Sequence, residues 1–301
     1  MLRRGGKQST MFPSVSVEEI MFARPLNVDL HCHSTVSDGV LAPAEVAARA
    51  SKNGVDVWAL TDHDELGGIP EAREAAQSLG MRYIPGVEIS VTWANRTIHI
   101  VGLNIDETNA ALVRGLSATR SGRERRARDM AAELSKAGIQ NAYEGALKYV
   151  GNPDLISRSH FARYLVEMGV CADVGEVFKR FLTEGKPGYV PHRWASLKDA
   201  LDWICGAGGV AVIAHPGRYD LSSIGYDTLF REFRALGGAA IEVVTGSHSA
   251  DQYAEYAKVA KRYGFMASRG SDFHDPNEMG ADLGQLPSLE KSLKPVWEAW
   301  A

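Results

Sequence analysis

Leu26-Asn27-Val28-Asp29-Leu30-His31-Cys32-His33 is the stretch on which the reading of the fold turns. Its first five residues read as a short buried strand, and side chains along a strand alternate faces, so His31 and His33 point one way and Cys32 the other. A single histidine is most simply a hydrogen-bonded core or surface residue. Here the pair has company: Asp38, Thr61-Asp62-His63-Asp64, Glu88, His99, Ala214-His215-Pro216 and Asp272-Phe273-His274. Most follow an apolar run, such as Val57-Trp58-Ala59-Leu60 before His63 and Val210-Ala211-Val212-Ile213 before His215. In parallel α/β proteins functional side chains collect at the carboxyl ends of strands. The expectation is a multinuclear metal site, with Cys32 turned away from it.

Working outward, strand and helix signals alternate. Residues 43–53 read as a helix with Pro43 in its first turn and Gly54 after its end. Residues 55–60 read as the second strand and 70–79 as the next helix. Residues 82–91 and 97–103 read as strands joined by Ala94-Asn95-Arg96, which brings Glu88 and His99 to one side. Residues 210–214, 239–244 and 265–268 supply further strands, and 197–206, 226–236 and 251–263 further helices. Between about 106 and 189 the strand signal vanishes for longer than a simple loop explains. Ala127, Met130, Ala131 and Leu134, then Phe161, Tyr164, Leu165 and Met168, recur at helical spacing and predict a small helical lid over the substrate.

Composition suits an enzyme that needs no membrane. The chain has 301 residues, 45% of them hydrophobic, enough for a large core. Its net charge of −4 gives no global attraction to nucleic acid. Cys32, Cys171 and Cys205 are widely spaced and odd in number, which points to a reducing, cytoplasmic setting. No apolar run approaches the ~20 residues that span a bilayer. The basic start is followed by no adequate apolar stretch, so residues 1–24 are expected to be a mobile extension.

Arg120, Arg123, Arg125, Arg126 and Arg128 crowd what reads as one helix. They fit either a solvated face paired with Glu124 and Asp129 or a clamp for a phosphate, whose oxygens match the planar guanidinium. Arg126 and Arg158 are the preferred pair, with Ser159 and free N–H groups at a helix start as added donors. His160 is expected on a helix facing cleft or solvent, Lys186 where the insertion returns, and His192 as a structural residue. Arg218 could offer charge to phosphate, and His248 could protonate a leaving group. Trp58, Trp194 and Trp203 read as packing residues.

From His31 to His274 these motifs resemble, in order, the polymerase and histidinol phosphatase (PHP) family. The resemblance implies a distorted (β/α)7 barrel of residues 25–105 and 190–301, with 106–189 inserted as a substrate-binding subdomain. It also implies three divalent ions: one held by His31, His33, Glu88 and Asp272, a second by Glu88, His99 and His215, a third by Asp38, His63 and His274. Asp38, His63 and His215 would thereby sit beside the reacting phosphoryl group. Some members carry histidine where this chain has Asp38, so its third site is more anionic. Mixed imidazole and carboxylate ligation fits manganese, zinc or iron, and the resemblance implies manganese first and zinc second.

Three such cations against Asp38, Glu88 and Asp272 leave a surplus of positive charge, suited to an anionic ester and to a metal-bound hydroxide, since cations lower the pKa of bound water from ~16 to about 7. The insertion, residues 156–163 and Ile213-Ala214-His215-Pro216-Gly217-Arg218-Tyr219 resemble the 3′,5′-nucleoside bisphosphate phosphatase group. That implies a small nucleotide substrate losing its 3′-phosphate, with no membrane or obligate protein partner. The alternatives are 5′-to-3′ trimming of short 5′-phosphorylated RNA, a histidinol-phosphate type of phosphomonoesterase, C–N bond hydrolysis, and a non-catalytic polymerase-associated module.

Overall fold

The protein is seen in a computed structural model that describes residues 25–277 and 280–300, so the expected extension over 1–24 lies outside the described residues. β1 (Val28–Asp29), β2 (Val57–Trp58) and β3 (Arg82–Tyr83) form a parallel three-stranded sheet in that order, with α1 (Pro43–Lys52) and α2 (Ile69–Ser78) as the crossovers. α1 buries Val46, Ala47 and Ala50, one face of a helix, and Gly54 takes φ 74 just past its end.

The single strand expected over 82–91 is two. Pro85 has no N–H to give a ladder, and the chain breaks there before β4 (Gly86–Trp93) begins. β4 and β5 (Arg96–Leu103) pair as an antiparallel hairpin across Ala94 and Asn95, both at positive φ as a tight two-residue turn requires.

α3 (Ala110–Arg120), α4 (Arg123–Lys136), α5 (Ala142–Leu147), α6 (Arg158–Glu167) and α7 (Val174–Val177) follow. Leu112 and Leu116 of α3 belong to the main core, and Gly115 lies flat against Trp203, so the insertion's own core starts later than residue 106. That second core gathers Met130, Leu134, Phe161, Leu165, Val177 and Leu182. The arginine-rich segment is likewise two helices, with Arg120 on α3 and the other four arginines on α4.

β6 (Ala195–Ser196), which the sequence did not announce, leads into α8 (Leu197–Gly206), β7 (Val210–Ile213), α9 (Ser223–Ala235), β8 (Ala240–Thr245), α10 (Ala250–Tyr263) and β9 (Met266–Gly270). The larger sheet runs β6-β4-β5-β7-β8-β9 and is mixed, because β5 is antiparallel to both β4 and β7. Backbone bonds stitch the two sheets together in two places. Leu30 N–H donates to Arg269 O at 3.0 Å and Asp272 N–H to His31 O at 2.8 Å. On the other side Glu88 N–H reaches Thr61 O at 3.1 Å and Asp64 N–H reaches Glu88 O at 2.9 Å. Val28, Leu30, Val57, Ala59, Ile84, Val101, Val212, Ala214 and Ala240, from strands of both sheets, share one buried cluster.

Candidate metal centre

His31 and His33 leave β1 on one face and are fully buried, while Cys32 turns to the opposite side, between Ala59 O and the Trp58 indole N–H. The rings gather tightly: His33 stacks with His63 at 4.4 Å and with His274 at 4.1 Å between centroids. Glu88 lies inside β4 rather than at a strand end, yet it is the hub. Its Oε1 stands 2.9 Å from His99 Nδ1 and 3.0 Å from His215 Nε2. Its Oε2 stands 3.2 Å from His31 and from His33, and 3.0 Å from His63. His99 reaches it because β5 pairs His99 with Ser90, which sets His99 diagonal to Glu88 on the same face.

Asp272 Oδ1 lies 3.5 Å from His31 and 3.3 Å from His33. Asp38 Oδ1 lies 3.3 Å from His274 and 3.8 Å from His63. Three donor groups result, each with its atoms within 4.8 Å of one another: His31, His33, Glu88 and Asp272; His33, Asp38, His63 and His274; His63, Glu88 and His99. The first has the same four residues as one of the three expected sets. In the other two His33 and His63 lie closer to neighbouring groups than expected, and His215 attaches through Glu88. Asp64, His215 and Asp272 all take positive φ around this pocket, a concentration of backbone strain typical of functional sites.

The electrostatics favour cations. Burial alone would raise the three carboxylates, but the imidazoles hold all of them well below their usual range: His63 and His274 act on Asp38, His63 and His31 on Glu88, and His31 and His33 on Asp272. Burial works against protonated imidazole as well, yet Glu242 and Glu88 raise His31 well above its ordinary value, and Asp272 and Glu88 raise His33 to about 10. Burial, with Arg218 nearby, pushes His215 down to about 4. His33 Nδ1, Asp38 Oδ1, His63 Nδ1, Glu88 Oε2 and His215 Nδ1 are buried and make no hydrogen bond among the described residues. Unpartnered buried acceptors at this density need positive charge, and imidazole with carboxylate oxygen is the donor chemistry of Mn, Zn or Fe. The residues therefore fit divalent cations.

A supporting layer escaped the sequence reading. Glu242 of β8 takes His31 Nδ1 at 2.7 Å and the His215 N–H at 2.6 Å. Asp62 accepts from the Ser34 N–H and from the Ser34 and Ser37 hydroxyls, fixing the turn before Asp38. Tyr219 OH accepts from the His99 N–H at 2.9 Å and donates to Ala214 O at 2.8 Å. Glu242 was detectable, since it is a lone charge in the apolar strand Ala240-Ile241-Glu242-Val243-Val244.

The expected substrate residues divide. Arg123 is buried and ion-paired with Asp64, and Arg128 pairs with Glu124 at 2.8 Å, so both are neutralised. Arg126 and Arg158 have no carboxylate partner among the described residues. Their nitrogens donate to Val190 O at 3.1 Å and Leu182 O at 3.3 Å, and their guanidinium groups lie over the rings of Trp194 and Phe178. Desolvation, with Arg158 and Arg123 adding like charge, lowers Arg126 to about 9. Arg218 sets Nη1 2.9 Å from Asp272 Oδ2 with its side chain 53% exposed, at the edge of the donor cluster. Lys186 is exposed in the returning turn, and Ser159 is half-buried.

Two expectations need correction. His160 faces neither cleft nor solvent. It is fully buried, its Nδ1 accepts from the Ser157 N–H at 2.9 Å, and burial lowers it to about 4. A hydroxyl that the sequence did not single out, that of Ser157, lies 3.3 Å from Asp38 Oδ2. His248 has no nitrogen left for a leaving group. Its Nδ1–H faces Val243 O at 3.2 Å and its Nε2 accepts from the Gly217 N–H at 2.9 Å. The rings of Trp58 and Trp203 pack as expected, whereas Trp194 also lies under Arg123 and Arg126.

Fold and donor set together define a class: an α/β protein whose buried histidine and carboxylate centre is built for divalent cations. The PHP domain profile matches residues 29–210, more than half of the chain, and the protein belongs to the PHP domain family. It is 51% identical over 271 residues to a 3′,5′-nucleoside bisphosphate phosphatase of Chromobacterium violaceum, covering 90% of this chain and 95% of the relative. It is 44% identical over 270 residues to a 5′-3′ exoribonuclease of Haemophilus influenzae, covering 90% and 97%. A solved Chromobacterium violaceum structure, described as an amidohydrolase with bound sulfate and no metal, superposes with a TM-score of 0.89 at 50% identity, covering 91% of this chain and 95% of that one.

Proposed function

We propose that this chain is a metal-dependent phosphatase that removes the 3′-phosphate from 3′,5′-bisphosphonucleotides. The observation that carries the reading is a donor cluster of eight residues, with His215 attached through Glu88, set near Arg126 and Arg158, two desolvated guanidinium groups without carboxylate partners among the described residues, Arg158 lying close enough to Asp38 and Arg218 to feel the charge of both. Two anion sites imply a substrate with two anionic ends. The relative that acts on such a bisphosphate is the 51% identical one.

On this reading three divalent ions, manganese by preference, are held by His31, His33, Glu88 and Asp272, by Glu88, His99 and His215, and by Asp38, His63 and His274. When bound they supply water activation at neutral pH and neutralisation of phosphoryl charge. The chain's own groups do the rest. Arg218 offers its free guanidinium edge to the reacting phosphate while Asp272 anchors the other. Arg126 and Arg158, with Lys186 and the N–H groups opening α6, take the 5′-phosphate and fix the nucleotide's position, which is where remote binding contributes to rate. The insertion then serves as the substrate-binding subdomain of a distorted (β/α)7 barrel, a reading that the backbone bonds between the two sheets support.

Trimming of short 5′-phosphorylated RNA is the second reading, favoured by the exoribonuclease relative. Among the described residues no helix is long and apolar enough to cross a membrane, and the three free cysteines agree with a cytoplasmic enzyme. Phosphate release from a 3′,5′-bisphosphonucleotide, a 3′-mononucleotide and a 5′-phosphorylated oligoribonucleotide, measured with added Mn2+, tests the choice. Fastest turnover of the bisphosphate supports the first reading, and sequential mononucleotide release at higher kcat/KM supports the second.

A further inference from the structure

The turn that carries Asp38 is clasped from two sides. The barrel side is Asp62, which binds Ser34 and Ser37. The other side is the helical insertion. Arg163, buried on α6, donates from Nη2 to Asp38 O at 2.7 Å, and its Nε has no partner among the described residues. Ser157, at the start of the same helix, sets its hydroxyl 3.3 Å from Asp38 Oδ2 while Oδ1 faces His63 and His274. Ser157 Oγ also lies 3.2 Å from His160 Nδ1, but the single lone pair of that nitrogen already accepts the Ser157 N–H at 2.9 Å, which leaves the hydroxyl proton for Asp38. Gly151, also in the insertion, lies so close that a Cβ would stand 2.5 Å from Thr35 O.

We propose that the insertion is part of the cation site at Asp38: Ser157 orients the carboxylate, and docking of Gly151 and Arg163 on the turn holds it in place. Ser157 and Arg163 are positioning residues that act through Asp38. Arg158, expected to meet the remote phosphate, is adjacent to Ser157 in sequence, so one helix start serves both the cation and the substrate. Hydrogen bonds to a ligating carboxylate commonly change metal affinity by about 10–100-fold. The inference rests on the reading that Asp38, His63 and His274 hold a cation.

The full chain, stripped with chelator, is titrated with Mn2+ alone, and bound metal is counted by elemental analysis after equilibrium dialysis. Wild type should bind three equivalents and Asp38→Asn two. Ser157→Ala should keep two tight equivalents and weaken the third by about 10-fold or more, and Ser157→Thr, which restores a hydroxyl, should recover it. Gly151→Ala, which lifts the insertion from Thr35 without touching a ligand, should weaken the same equivalent. Near-UV circular dichroism checks that each variant is folded. If Asp38→Asn binds as many ions as wild type, the underlying cation assignment fails. If Asp38→Asn loses one while Ser157→Ala and Gly151→Ala both bind three as tightly as wild type, only the role of the insertion is overturned.

Discussion

Glu242 holds His31 by a 2.7 Å contact between Oε1 and Nδ1, which leaves His31 Nε2 facing Glu88 and Asp272. Its Oε2 takes the His215 N–H at 2.6 Å, so one buried carboxylate fixes two candidate ligands. A partner of this kind sets the tautomer and the ring orientation. Glu242→Gln should therefore weaken Mn2+ binding by about 10–100-fold and slow phosphate release at limiting metal, with most of the rate returning at high Mn2+. Calorimetric titration measures the first effect, and unchanged affinity would reduce Glu242 to a support for the backbone.

Removal of metal should expose how poorly the pocket tolerates its own charge. Glu88 faces five imidazoles, and its Oε2 makes no hydrogen bond among the described residues. Ligands that bind only the folded state stabilise it by mass action. Chelation should lower the melting temperature and abolish phosphate release, and Mn2+ should restore both. Glu88→Gln should lose more than one metal equivalent, since the carboxylate borders two donor groups. Loss of no ion from this variant would contradict the hub assignment.

Arg158 should act on substrate recognition rather than on the chemical step. A charge-assisted hydrogen bond contributes about 1.5–3 kcal/mol, equivalent to roughly 10–100-fold in binding. Arg158→Ala is expected to raise KM for a 3′,5′-bisphosphonucleotide by that factor and to leave a 3′-mononucleotide nearly unaffected. Arg123→Ala should instead lower stability, because it abandons the buried Asp64. Steady-state kinetics on both substrates separates the cases, and equal KM changes on the two would remove Arg158 from the remote site.

His248 should behave as a brace for the segment that presents His215 and Arg218. Its Nε2 accepts from the Gly217 N–H, and Gln252 Nε2 donates to Gly217 O at 3.2 Å. Displacing that segment by a fraction of an ångström should slow turnover by about 10–100-fold. A brace carries no proton to the leaving group, so His248→Asn should lower kcat without removing either limb of the pH–rate profile. Disappearance of the basic limb would return His248 to the role of general acid.

Strand alternation and apolar runs made the donor cluster legible, because His31, His33, His63, His215 and Asp272 all follow strands whose burial is written locally. Glu88 was found by motif order, although its place inside β4 and the antiparallel setting of β5 depend on pairing that no local pattern encodes. The arginines could not be sorted from sequence. Arg123 and Arg126 share a helix face, and what separates them is Asp64, 59 residues from Arg123 along the chain. His248 misled for the same reason, since its partner is the backbone of Gly217, 31 residues away.

His160 gives a pH test whose sign can be worked out. Its folded-state value of about 4 lies below the 6.5 of an exposed imidazole, with desolvation the largest cause and Arg163 and Arg123 outweighed in part by Asp38. Well above pH 7 both folded and unfolded forms are neutral, and the group has no effect on the pH dependence. As pH falls through 6.5 the unfolded chain takes up a proton that the folded chain refuses, so stability declines and levels off below about 4. The full difference corresponds to about 3 kcal/mol. His160→Asn retains a side-chain oxygen that can accept from the Ser157 N–H but does not titrate. It should be less stable at pH 7 through lost packing, yet lose less stability than wild type between pH 7 and pH 4.5. Urea unfolding of both metal-loaded proteins across that range reads the difference in slope, in which titrations common to both cancel. Parallel slopes would show that His160 is protonated in the folded protein and that the cap on α6 does not depend on a neutral ring.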